Sequence, residues 1–334
     1  MPKASKSEQN KSDAADVTVE GKKKRTKRSA SVSSADPVTS TSTSKRTKRA
    51  ASVEAKERIH EQAAAESGSL SSQLSSAVIH PVSSSSGAAL MYRLSAKAGK
   101  SGTITSANLS TIPPALIVRT VSGVRESPSA YTAPPPTRSA DGVFHFRSHP
   151  SFQPNLSPEE VLRAGSFGGQ YFRNIASSVT GRVHVDAHLE LPSAWFSGLN
   201  ISKCIASSTY DAKVNTYKVK CGQDLRDWEE SGWIVPQDPF GWFQFYCRFF
   251  QGRRTDDDDR QVARWCACAG EKGRWKANLA HKVAASGKDV DDPSISPVVR
   301  QTLQHWGYKL TSKDLDEGKR KLKAGLGAPY VARG

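Results

Sequence analysis

From residue 182 to 191 the chain alternates. Val183, Val185, Ala187, Leu189 and Leu191 fall on one side, and Arg182, His184, Asp186, His188 and Glu190 on the other. A period of two predicts a half-buried strand. GVFHFRS (142–148) sets Phe144 and Phe146 in the same rhythm, and TYKVKC (216–221) does so with Tyr217, Val219 and Cys221 before Gly222. Between them, Ser157-Pro158-Glu159-Glu160 reads as a helix start, with Ser157 as cap, proline in the first turn and Glu160 closing a capping box. Gly165 ends that short helix, and the glycine-rich stretch AGSFGGQYF follows.

Beyond residue 223 the period becomes helical. DLRDWEESGW predicts a short helix stopped by Gly232, and FGWFQFYCRFFQG predicts one with a wide aromatic face, stopped by Gly252. Thr255 and the aspartates after it open the next, through Val262 and Trp265 to Gly270. RWKANLAHKVAAS runs to Gly287, and Ser296-Pro297 opens the helix that Gly307 stops. The expected class is α+β, a small N-terminal antiparallel sheet followed by a helical half.

Composition adds the boundaries. Residues 1–139 carry 21 Lys and Arg against 10 Asp and Glu, whereas 140–310 carry 21 against 19. All seven Trp and all five Cys lie beyond residue 190. With few large apolar side chains to offset ordering entropy, 1–139 is expected to be a long disordered, basic, Ser-rich region, leading through a stiff Pro134–Pro136 linker into a domain at 140–312 and a basic tail at 313–334. The segment EAKERIHEQAAAE (54–66) is a marginal helix. No apolar run approaches the ~18 residues of a membrane span, and the polar start lacks a signal-peptide core, so a soluble intracellular protein with free thiols is expected.

The basic tail has a pattern of its own. KRTKRSASV starts at Lys24 and KRTKRAASV at Lys45. Lys22, Lys23, Lys24, Arg25, Lys27 and Arg28 form one dense cluster, and Lys45, Arg46, Lys48 and Arg49 a second, of the kind an acidic import-receptor groove or a phosphate backbone attracts. The expected location is therefore nuclear, with an import receptor as partner. Ser31 and Ser52, each three residues after an arginine, are candidate phosphorylation sites whose modification would weaken that attraction.

In the domain, Arg253, Arg254, Arg264, Lys272, Arg274 and Lys276 interleave with Trp265 and Trp275, a composition that suits nucleic-acid backbone contact; helical core spacing of the tryptophans and five acidic residues in the same stretch favour core aromatics beneath a mixed-charge surface. His184, Asp186 and His188 share one face of the 182–191 strand, ~7 Å apart along it, and would suit zinc or another divalent metal. Cys266 and Cys268 point apart on a helix, and Asp256–Asp259 fit a helix start better than a metal cluster. No nucleophile elbow or phosphate loop is present.

DPFGWFQFYCRFFQGRR…DDRQVARWCACAGEKGRWK (238–276) and ISPVVRQTLQHWGYKL (295–310), with AGSFGGQYF and STYDAKVNTYKVKCG before them, resemble a module of proteins encoded by fungi, plants and large DNA viruses. The resemblance covers 140–312 and implies one folded module behind a variable tail; it carries no known activity. The function expected is a nuclear, non-enzymatic binding protein whose basic tails contact import receptor and nucleic-acid phosphates, while the domain contacts nucleic acid or protein. A metal-dependent hydrolase or nuclease using His184, Asp186 and His188, and a pure protein-interaction module, are the alternatives.

Overall fold

A computed structural model describes residues 85–326, which lie within Glu54–Gly334, one of the two units into which the chain divides. Both basic clusters, Ser31, Ser52 and the 54–66 segment are outside the described residues. The fold is α+β. Strands β1 Ile117–Arg119, β4 Ile175–Ser177 and β5 Arg182–Val185 form one sheet, and β2 Thr137–Arg138 and β3 Phe144–His145 a second. Helices Leu225–Glu230, Trp242–Phe250, Asp258–Ala269, Arg274–Ser286, Pro297–His305 and Ser312–Lys323 follow.

Three expectations are corrected. The larger sheet is mixed: β1 runs parallel to the central β5, pairing Ile117 with Val183 and Arg119 with Val185, while β4 is antiparallel to it. The folded part also starts well before residue 140. Met91, Leu94, Ile104, Ile112 and Leu116 are buried with Ala176, Val183 and Val185 in a core cluster of their own. Apolar residues too sparse to make a core alone thus make one by covering a sheet face supplied from residues 175–185. At the other end, residues 312–323 form a docked helix rather than a loose tail. Thr311 and Asp314 close a capping box, and Leu315 is buried. A Cβ on Gly318 would lie 2.8 Å from the Ala280 carbonyl oxygen, so only glycine lets this helix approach Arg274–Ser286 so closely.

Two predicted strands also change. β5 stops at Val185 because Asp186 is left-handed (φ 59°) and 187–190 form a 3-10 turn. Ala187 and Leu191 still turn inward, but the alternation breaks between them: Leu189 is half-buried and Glu190, expected on the polar face, is buried. Residues 216–221 are turns rather than a strand. Buried Asn215 holds them, its amide donating to Tyr210 Oη and to the Val219 carbonyl at 2.7 Å each, while its own oxygen accepts from Gly168 N–H at 2.8 Å.

Helix Trp242–Phe250 is the centre of the packing. From Trp242 to Phe249 every residue is buried, so the aromatic face the sequence shows is nearly the whole circumference. Phe152 sits edge-on to Trp242, Tyr246, Phe249 and Trp265, with ring centroids 5.1–5.9 Å away. Such pairs add ~0.5–1.5 kcal/mol each beyond area burial.

The charges buried with this helix are neutralised. Asp238 is fully buried and takes Arg253 on both oxygens at 2.7 and 2.6 Å, and Arg248 on one at 3.1 Å. Arg248 also grips buried Glu190 through Nη2 at 2.5 Å and Nε at 3.0 Å, and reaches Glu126 at 3.0 Å.

Candidate functional site

Where the start of helix Trp242–Phe250 meets the end of Pro297–His305, the segments 167–173 and 221–234 close a cavity of about 430 Å³. Its walls include Trp228, Trp233, Trp242, Trp275 and Trp306. The indoles at its back are fixed by polar contacts. Trp242 stacks on Trp306 at 4.4 Å and donates Nε1–H to the His305 carbonyl at 3.3 Å, and the Trp306 carbonyl accepts from Trp265 Nε1 at 2.8 Å.

The glycines of AGSFGGQYF shape one wall. A Cβ on Gly169 would fall 2.0 Å from the Lys203 carbonyl oxygen, and Gly169 is left-handed (φ 77°). These glycines therefore serve close chain packing. Phe167, itself left-handed (φ 53°), stacks on the His305 ring at 4.0 Å and donates its N–H to His305 Nε2 at 3.0 Å. An Nε2 that accepts leaves the ring proton on Nδ1. Burial pushes the His305 pKa down to about 3, so it is a neutral, packed imidazole at ordinary pH. Burial likewise pushes up the Cys221 thiol, which lies 3.1 Å from Thr302 Oγ1, so the sulfur facing the cavity is a thiol rather than a nucleophilic thiolate.

Arg173, Arg264 and Arg274 supply the charge, and among the described residues no Asp or Glu lines the cavity. Arg264 is held between Trp233 and Trp306, its guanidinium carbon 5.5 and 5.7 Å from their ring centres. Arg173 is buried and donates to Thr103 Oγ1 at 3.0 Å, the Gln170 carbonyl at 3.1 Å and the Ser101 carbonyl. Burial lowers both guanidiniums to about 10, which leaves them cationic at neutral pH. Indole faces beside guanidiniums, with no carboxylate among the described lining residues, are complementary in shape and charge to a planar, anionic group. An aromatic cage for a cation has the opposite charge.

The six basic residues expected to touch nucleic acid separate into groups. Arg264 and Arg274 line the cavity, and Lys272 is exposed two residues before Arg274. Arg253 is corrected: it is buried against Asp238 and has no path to a phosphate. Arg254 lies flat on Phe249 at 3.8 Å and donates to backbone carbonyls, while Lys276 faces Asp314 at 3.5 Å and the Tyr308 ring. Sequence reasoning missed Arg173 and the role of Trp228, Trp233 and Trp306. The clustering of all seven tryptophans beyond residue 190 was the only available signal, and it says nothing about convergence.

The three residues of the expected metal face are divided between β5, which holds His184, and the turn after it. His184 Nε2 is 2.8 Å from Thr180 Oγ1, Asp186 pairs with Arg119, and His188 packs edge-on to Phe196. Burial pushes His184 down to about 4. Among the described residues no group of three or more His, Cys, Asp and Glu is placed to hold a metal ion. At the Asp256–Asp259 run, Asp257 pairs with Arg260, and Asp258 accepts from Thr255, as a helix start would have it. The five cysteines are free thiols. A second cavity of about 260 Å³, with His184, Glu190 and Arg248 in its wall, borders the ion cluster that neutralises itself. Among the described residues no helix is long and apolar enough to cross a membrane. No family model, curated protein or solved structure matches the chain.

Proposed function

We propose that the folded part of this chain is a nucleic-acid-binding module that takes an unpaired nucleotide into the Trp–Arg cavity. The observation that carries this reading is a cavity lined by five tryptophans and three arginines, with no carboxylate among its described lining residues. Every base has a π-face that can lie on an indole, and its phosphate supplies the charge that guanidiniums seek. A volume near the low end of the ~300–1,000 Å³ typical of ligand pockets suits one nucleotide better than a longer segment. Bases stacked in a duplex cannot enter such a concavity, so the ligand is single-stranded or locally unpaired. The neutral His305 and the thiol form of Cys221 support binding over acid–base or nucleophilic chemistry at this site.

In this reading the basic clusters at Lys22–Arg28 and Lys45–Arg49 serve as a nuclear address and add long-range, sequence-independent attraction to phosphates.

The test is a titration of the full chain with a single-stranded oligonucleotide and with its duplex, read by tryptophan fluorescence over a salt series. The single strand is expected to quench the emission saturably, and to keep doing so at salt that has abolished duplex binding through the tails. A single strand that leaves the emission unchanged while it binds would overturn the proposal.

A further inference from the structure

Two buried arginines elsewhere in this fold are matched by carboxylates: Arg248 and Arg253 share Asp238, and Arg248 also holds Glu190. A third, Arg300, has no ion pair among the described residues and donates to the Ile295 carbonyl, away from the walls of both cavities. At the cavity two more arginines lack a carboxylate, and both line the same space. Among the described residues Arg173 has neutral hydrogen-bond acceptors and no ion pair, and Arg264 has the Gln261 amide oxygen at 2.9 Å and two indole faces. The carboxylates whose fields reach them are used elsewhere. Asp224, which acts on Arg173, caps helix Leu225–Glu230; Asp257, which acts on Arg264, is held by Arg260 and Gln261. A desolvated cation without a counter-charge is costly, and a cavity lined by buried Arg173 and half-buried Arg264 is suited to receive negative charge.

The amount of charge distinguishes ligands. A nucleotide inside a strand brings one negative charge in its phosphodiester. A terminal phosphomonoester brings about −1.5 to −2 at pH 7, with three strong acceptor oxygens. Each guanidinium has five N–H donors in a planar fork; Arg173 spends three of its five on the protein and Arg264 one. Arg274, at the exposed rim, adds a third positive charge.

We infer that the cavity is specific for a nucleoside monophosphate unit bearing a terminal phosphomonoester, with its base against the indole walls and the dianionic phosphate between the Arg173 and Arg264 guanidiniums. This rests on the nucleotide-binding reading above. The same chemistry is presented by a free mononucleotide and by the phosphorylated end of a strand.

The experiment uses the full chain at fixed ionic strength, with five probes read by tryptophan quenching: uridine, uridine 5′-monophosphate, uridine 3′-monophosphate, and a ten-nucleotide single strand with either a 5′-hydroxyl or a 5′-phosphate. At least one phosphomonoester is expected to bind tenfold or more tighter than its dephosphorylated partner. That ratio should fall towards one in Arg264→Gln and in Arg173→Gln; the first keeps the measurement valid if the second, which also ties Ser101 and Gln170, fails to fold. A free nucleotide equal to the phosphorylated strand supports the inference and names the free ligand, whereas a tighter strand supports it and names the strand end. Equal, saturable quenching by the 5′-hydroxyl and 5′-phosphate strands, with mononucleotides no better than uridine, would overturn this inference and leave the nucleotide-binding reading standing. No quenching by any probe would remove both.

Discussion

Replacing Asp238 with alanine is expected to destabilise the fold by about 3–5 kcal/mol, the cost of breaking a buried ion pair from one side. Asp238 is fully buried and binds two guanidiniums. Without it, Arg253 keeps no charged partner among the described residues, and Arg248 retains Glu190 and the exposed Glu126. Against a typical stability of ~5–15 kcal/mol such a loss is large. The Asp238 main-chain carbonyl, which accepts from Gly241 N–H at 2.8 Å in the turn that presents Phe240 and Trp242 to the cavity, is kept in the variant. Asp238→Asn keeps one of the two acceptor oxygens and loses the charge, so it should fall between wild type and alanine. Urea unfolding of the full chain at pH 7, followed by far-UV circular dichroism, measures both. An alanine variant within about 1 kcal/mol of wild type would show that the pair contributes little net stability, as some buried pairs do.

Arg264→Gln is expected to weaken single-strand binding about 10- to 100-fold while the fold stays intact. A hydrogen bond to a charged group contributes ~1.5–3 kcal/mol, and each 1.4 kcal/mol is tenfold in affinity. Stability should hold because the polar partner of Arg264 is Gln261, one turn back on its own helix, and glutamine keeps much of the aliphatic stem against Trp233 and Trp306. Arg264→Lys restores the charge without the planar fork, so its affinity should lie between the two. Titrations of the three proteins with one oligonucleotide at one salt concentration, beside their unfolding curves, separate a lost contact from a lost fold. Equal affinities would place the nucleic acid elsewhere on the protein.

Much of the helical half was legible because it is locally encoded. The capping box of Ser157 and Glu160, the left-handed Gly232 and Gly287 after their helices, and the aromatic run of 242–250 all sit where spacing places them. The sheet was harder. β1 is three residues long, and its parallel partner β5 lies more than sixty residues further on, a pairing that no local period announces. The alternation of 182–191 held as a burial pattern only as far as Ala187: the left-handed Asp186 converts strand to 3-10 turn, which leaves Leu189 half-buried and turns Glu190 inward to Arg248. For 216–221 the alternation holds as burial, with Cys221 buried, Tyr217 and Val219 half-buried and Thr216, Lys218 and Lys220 exposed, but the Asn215 hydrogen bonds fold the backbone into turns.

The site shows the same division. Arg264 and Arg274 could be named from a basic stretch rich in tryptophan, but Arg253 belonged to the same stretch and is spent on Asp238. Whether an arginine faces solvent, a cavity or a carboxylate depends on contacts between distant segments. Arg173 is the clearest instance, since its partners Thr103 and Ser101 come from a region that composition alone assigned to disorder.

Location of the bound nucleotide tests the central claim most directly. The full chain would be irradiated with a single strand carrying 5-iodouracil, and the cross-linked peptides identified by mass spectrometry. The account predicts adducts on Trp228, Trp233, Trp275 or Trp306, competed away by unlabelled single strand. Adducts confined to the peptides around Lys22–Arg28 and Lys45–Arg49 would contradict it, and would leave the cavity without a part in nucleic-acid binding.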